Sequence, residues 1–188
     1  MMADHCIDTR WIEQLDGVVV DVFNIMLRQS CEVVEDAAAA AEIDIAAEIL
    51  LSGAIDAQCL VELPQATAKK LTDAFLGSED DWEDALIEDA IGELCNMIAG
   101  GWKGALGATA STSGLSVPAI SRACAPDRNP PNGCSLRMRR TYAFRNSPFT
   151  VSLAIREPRD IQEISAQVHA LKGTGFSPSV RATKSMGL

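Results

Sequence analysis

Apolar residues recur at helical spacing from Thr9 to Gln29, where Trp11, Ile12, Leu15, Val18, Val19, Val22, Phe23, Met26 and Leu27 fall on one face. The spacing predicts an amphipathic helix even across the β-branched run Val18 to Val20, because the helical period persists for roughly five turns. From Glu42 the period becomes two. Ile43, Ile45, Ala47, Ile49 and Leu51 alternate with Glu42, Asp44, Ala46 and Glu48, which predicts a strand with one set inward and the other toward solvent. Ser52-Gly53 is a turn signal, and Ile55, Ala57, Cys59, Val61 and Leu63 continue the alternation, so the two runs form a β-hairpin. Pro64 then opens a short helix in its first turn, and Gly77 stops it.

A long helix is expected next, over Asp81 to Gly101, with Ser78 as its N-cap. Glu79, Asp80, Asp81, Glu83 and Asp84 gather near its positive end, where the macrodipole favours anions. At about 100° per residue, Asp89, Glu93, Asn96 and Gly100 fall within roughly 60° of one another. Ile87, Ile91, Leu94, Ile98 and Trp102 cluster on the opposite side. One face packs, and a polar stripe is left over.

Beyond Gly101, the small and polar residues from Lys103 to Gly114 read as the loop leaving the helix. Leu115 to Cys124 reads as a strand that Pro118 confines to an edge, a strand start or a bulge. Leu136 to Arg145 and Phe149 to Ile155 alternate as adjacent antiparallel strands joined by a turn at Asn146-Ser147-Pro148. Arg137, Arg139 and Arg140 are read as charges on a solvated strand face and are assigned no chemistry. Residues 9–156 make up the domain. Residues 157–188 form a C-terminal extension with a helix at 160–172 followed by a mobile tail.

A formal net charge of -10 and a pI near 4.6 argue against nucleic-acid binding, which requires a basic surface. The start of the chain lacks a signal-type apolar core, so a cytoplasmic protein without membrane insertion is expected. Six scattered cysteines form no C-x-x-C pair, and two histidines add little to a metal site, so reduced, mostly buried thiols and no bound metal are expected.

No phosphate loop, nucleophile elbow or dinucleotide fingerprint occurs. The remaining candidate is Glu93-x-x-Asn96 with Asp89 one turn earlier. Asparagine is a poor helix former, and Gly92 and Gly100 each cost about 1 kcal/mol relative to alanine, so something approaches this face closely. A solvated face whose glycines pack on a neighbouring helix accounts for the same residues, and both readings stand.

The run DAIGELCNMIAGGWKGAL, Asp89 to Leu106, resembles the active-site helix of the CheX branch of the CheC/CheX/FliY chemotaxis phosphatases. That signature is Asp or Ser, three residues, Glu, two residues, Asn, and a proline somewhat over twenty residues later. Asp89, Glu93, Asn96 and Pro118 fill those places. The resemblance extends to a first helix with VDVFNIML, the hairpin, the proline-led short helix and the strand meander.

The resemblance implies an α+β fold of the CheC/CheX type, with long helices on a mostly antiparallel sheet. It implies hydrolysis of the aspartyl phosphate of a CheY-like receiver domain, Asn96 orienting the attacking water and Glu93 docking on the receiver's lysine. Asp89 and Pro118 are supporting positions. The Mg²⁺ is the receiver's, and the chain needs no cofactor of its own. The first helix lacks Glu-x-x-Asn, so one site per chain and a homodimer are implied. The rival reading is a non-catalytic receiver-binding or dimerisation module of the same fold.

Overall fold

In the computed structural model, which describes residues 9–34, 43–122, 134 and 136–156, helices cover one face of a seven-stranded antiparallel sheet. The elements run α1 (Thr9–Val22), a π-helical turn (Phe23–Leu27), β1 (Glu32–Val34), β2 (Ile45–Ser52), β3 (Asp56–Leu63), α2 (Gln65–Leu76) and α3 (Asp84–Ala105). A 3₁₀ turn (Gly107–Ala110), β4 (Gly114–Leu115), β5 (Ala119–Arg122), β6 (Leu136–Phe144) and β7 (Ser147–Arg156) follow. The strand order is β1-β6-β7-β3-β2-β4, and β5 also pairs with β2. The α+β class is as expected. The extension at 157–188 lies outside the described residues.

The register puts the apolar set of each strand on the helical side. Ala47, Val61 and Val151 are cross-strand neighbours, as are Ile49, Cys59, Leu153 and Met138, and all are buried. The helices add Leu15, Val19, Leu71, Ile87, Ile91, Leu94, Ile98 and Trp102 to the same core. On the opposite face the simple alternation fails, because Ala46, Leu60 and Glu62 are buried as well. β2 and β3 are interior strands, and flanking strands shade short side chains between them; Arg139 covers Glu62 with an ion pair of 2.8 Å.

Several boundaries differ from the periodicity. Pro64 is the residue before α2 rather than its first turn, and the N–H of Gln65 is capped by the Asp44 carboxylate at 2.8 Å from across the chain. Gly77, at φ 73°, closes α2 by donating to the Asp73 carbonyl. α3 begins at Asp84, not near Ser78. The intervening segment is tied back to α2 by Trp82 Nε1 donating to Asp73 at 2.8 Å and by Lys69 pairing with Asp81 at 3.0 Å. Of the acidic cluster, only Asp84 lies in the first turn, after Glu83 at the cap position.

α3 also continues past Gly101 to Ala105, because Trp102 is buried there against Trp11, with ring centroids 5.8 Å apart. The expected strand from Leu115 is two short strands separated by Ser116 to Pro118, since proline cannot donate to the ladder. The β6–β7 turn is Arg145-Asn146, both with positive φ (48° and 61°), rather than Asn146-Ser147-Pro148. The first helix ends in a π turn, and Arg28 stops it in the left-handed region.

Arg140 is not a solvated charge. Its Nε and Nη2 donate to Asp16 at 3.1 and 2.8 Å, and the buried Tyr142 hydroxyl donates to the same carboxylate at 2.7 Å, joining α1 to β6. Burial and the Asp16 carboxylate push the Tyr142 hydroxyl well above its ordinary range, and burial is the main cause raising the Cys31 thiol to about 11. A raised folded-state value means the folded protein holds its proton after the unfolded chain has released it. The Cys31 contribution is therefore full below about pH 9 and falls as pH rises toward 11, whereas that of Tyr142 begins to fall only above about pH 10. Urea midpoints between pH 7 and 10.5 are expected to fall on the alkaline side, and Cys31→Ala is expected to lessen the earliest part of the decline, the remainder coming from Cys59, whose thiol is raised by its contact with Cys95 and by burial.

Among the described cysteines, Cys31, Cys59 and Cys95 are free and buried, and Cys134 is free and half-buried. Cys95 donates to the Ala47 carbonyl at 3.4 Å, beneath α3.

Candidate functional site

The polar stripe on α3 is held up by the packing behind it. Ile87, Ile91, Leu94, Cys95, Ile98, Ala99 and Trp102 are buried, which fixes the rotation of the helix about its axis. Asp89 and Glu93 are consequently exposed and Asn96 is half-buried, one turn from Glu93. Asn96 Nδ2 donates to Glu93 Oε2 at 3.5 Å. This is the long limit of a hydrogen bond, so it biases the amide without committing it, and the side chain can exchange that contact for one to a ligand.

Pro118, distant in sequence, is brought to the same helix. A Cβ placed on Gly92 would lie 3.3 Å from Pro118 Cβ and 3.4 Å from Ile120 Cδ1. The close approach inferred at Gly92 is thus made by this chain's own proline, immediately beside Glu93. Gly100 is different: its Cβ would meet only Leu115 Cδ1, at an ordinary 3.8 Å. The tight glycine is Gly101, where a Cβ would lie 2.8 Å from Val18 Cγ1. Periodicity gave no reason to single it out, since the approach of α1 to α3 is a tertiary fact.

These distances separate two adjacent glycines experimentally. Gly100→Ala is expected to stabilise the protein by roughly 0.5–1 kcal/mol, the helix-propensity gain. Gly101→Ala is expected to lose that gain and more, because Val18 is a stiff β-branched residue in a helix, with a net cost of about 1–2 kcal/mol. Urea denaturation midpoints of the two variants would move in opposite directions.

Arg122 locks β5 against the start of α3, pairing with Glu88 at 2.5 Å and Asp84 at 3.0 Å. Two of the acidic groups on this helix are therefore occupied, whereas Asp89 and Glu93 face outward. Among the described residues, no group of three or more His, Cys, Asp or Glu is placed to hold a metal, and no helix is long and apolar enough to cross a membrane. Two concavities, of about 210 and 310 Å³, lie by the β2–β3 turn beside Cys134 and on the sheet face remote from the helices. Neither touches Glu93 or Asn96. Asp89 and Glu93 stand exposed along one helix face, an arrangement that suits a macromolecular partner better than an enclosed small molecule.

Residues 45–127, which include Asp89, Glu93, Asn96 and Pro118, match the family described as chemotaxis phosphatase CheX. Solved structures share the fold at low identity. Chemotaxis protein CheX from Vibrio vulnificus is 14% identical with a TM-score of 0.63, over 78% of this chain and 96% of that one. The CheX–CheY–BeF3–Mg²⁺ complex from Borrelia burgdorferi aligns at 20% identity and a TM-score of 0.64, over 81% and 100%. FliY from Thermotoga maritima aligns at 11% identity and a TM-score of 0.57, over 87% and 93%. No curated protein matches the sequence.

Proposed function

We propose that this chain, CheX-like in sequence and in fold, is a phosphatase for the aspartyl phosphate of a CheY-like receiver domain. The observation that carries the proposal is the pairing of exposed Glu93 with half-buried Asn96 on a helix face whose rotation the core fixes, inside the segment that matches CheX. The Borrelia complex supports the partner class, because a CheX is found there together with a CheY.

An acyl phosphate is already activated for hydrolysis, so positioning a water can supply much of the catalysis. The Asn96 amide offers both an acceptor and donors, and can hold a water in line with the phosphorus. The water oxygen forms the new P–O bond while the bond to the receiver's aspartate breaks. The carboxylate leaves, and the water's protons depart with inorganic phosphate. Glu93 pairs with the receiver's lysine and so sets the depth and angle at which Asn96 enters. Mg²⁺ belongs to the receiver and supplies charge stabilisation there. A homodimer is part of the same proposal, on the family resemblance.

The test is the decay of phosphorylated receivers from the same organism with and without this protein. At least one receiver is expected to lose its phosphoryl group faster. Unchanged half-lives across all of them would contradict the proposal.

A further inference from the structure

The stripe on α3 has apolar neighbours on both flanks that the core does not use. Leu86 lies on the Glu93 side, two turns earlier, and is 38% exposed. On the other flank stands Val117, 84% exposed and next to the Pro118 that packs on Gly92. A single exposed apolar residue is ordinary on a protein surface. Val117 differs in how firmly it is held.

Its backbone is fixed from both sides. Ser116 donates its N–H to the Leu50 carbonyl at 2.9 Å, and its hydroxyl accepts the Leu50 N–H at 3.0 Å while donating to the Val117 carbonyl at 2.9 Å. On the other side Pro118 restricts Val117 to extended conformations and is anchored against Gly92 and the helix. Valine itself has few rotamers. The result is an apolar knob already ordered while facing solvent, so burying it under a partner sacrifices little conformational entropy.

We propose that Val117, with Leu86 as the lesser contact, determines which receiver docks, by seating in an apolar patch beside the receiver's phosphorylated aspartate. The inference rests on the proposed function and names a contact of that same site. The occupant follows from continuity: Pro118 packs on Gly92, the residue before Glu93, so a receiver lying over Glu93 and Asn96 comes to the segment that carries Val117. The two kinds of contact divide the work. Glu93 answers a positive charge and orients, while Val117 contributes desolvation of an apolar surface, which favours only receivers that present one.

The test uses the full chain and measures kcat and KM for a phosphorylated receiver, with Kd for the same receiver carrying beryllofluoride. Val117→Asp is expected to raise KM and Kd by roughly tenfold to a hundredfold, the worth of one buried aliphatic side chain, with kcat within about twofold. Leu86→Ser should raise them a few-fold, and Val117→Ile should keep wild-type values. Urea midpoints check that the fold is intact, as expected at so exposed a position. Unchanged KM and Kd in Val117→Asp, with an active wild type, would overturn this inference and leave the phosphatase reading standing. A fall in kcat at unchanged KM would also overturn it, showing that Val117 acts on geometry through Pro118. If the wild type discharges no receiver, the phosphatase reading fails and this inference falls with it.

Discussion

Asn96→Ala is expected to lose about 10²–10³-fold in the rate of phosphoryl release while binding the receiver within a few-fold of wild type. The asymmetry follows from the position of the amide. Asn96 is half-buried on α3, hydrogen-bonds Glu93 at a long 3.5 Å and lies outside the core cluster, so truncation removes a water-holding group without disturbing the core. Asn96→Asp, nearly the same size, exchanges the amide donors for a second acceptor and brings negative charge to a phosphoryl group, and should be as inactive. Glu93→Ala should weaken both binding and turnover, since the carboxylate sets the docking angle. Asp89→Ala should change either by only a few-fold, since Asp89 has a supporting place in the motif. If Asn96→Ala lost binding and turnover in equal measure, Asn96 would be a docking residue rather than the one that positions water.

The second large effect concerns stability. Asp16→Ala is expected to destabilise the fold by about 2–3 kcal/mol, because it strips two partners at once. Arg140 loses a bidentate contact and the fully buried Tyr142 hydroxyl loses its acceptor. The Asp16 and Arg140 side chains are 22% and 25% exposed, so solvent screening keeps the cost below that of a fully buried pair. Tyr142→Phe should cost about 1 kcal/mol, since it removes one hydrogen bond and leaves the ion pair. Urea denaturation separates these outcomes. A cost under about 0.5 kcal/mol for Asp16→Ala would mean the network contributes no more than an ordinary surface pair.

The parts of this structure legible in the sequence are those where a side-chain period runs for several turns. The helical face of α3 could be read because Ile87, Ile91, Leu94, Ile98 and Trp102 repeat without interruption, and the polar face opposite them follows by geometry. The β2–β3 hairpin was readable for the same reason. The ends of elements were not, because distant groups decide them: Asp44 caps α2, Asp73 holds Trp82 out of α3, and burial of Trp102 extends that helix. β1, with three residues, is too short to show a period.

The site divides similarly. Asp89, Glu93 and Asn96 share a face by spacing alone, but the packing of Pro118 on Gly92 and the exposure of Val117 depend on how the β4–β5 segment returns to the helix. The arginines of β6 show the limit most plainly. An alternating charged residue reads as solvated until a carboxylate from another element, here Asp16 or Glu62, is found facing it.

The most direct measurement is multiple-turnover decay of a phosphorylated receiver with this protein present at a small fraction of the receiver concentration. The expectation is that each wild-type molecule discharges many receivers, and that Asn96→Ala at the same concentration leaves the decay at the receiver's own rate. Decay unchanged by the wild type, or accelerated equally by Asn96→Ala, would contradict it.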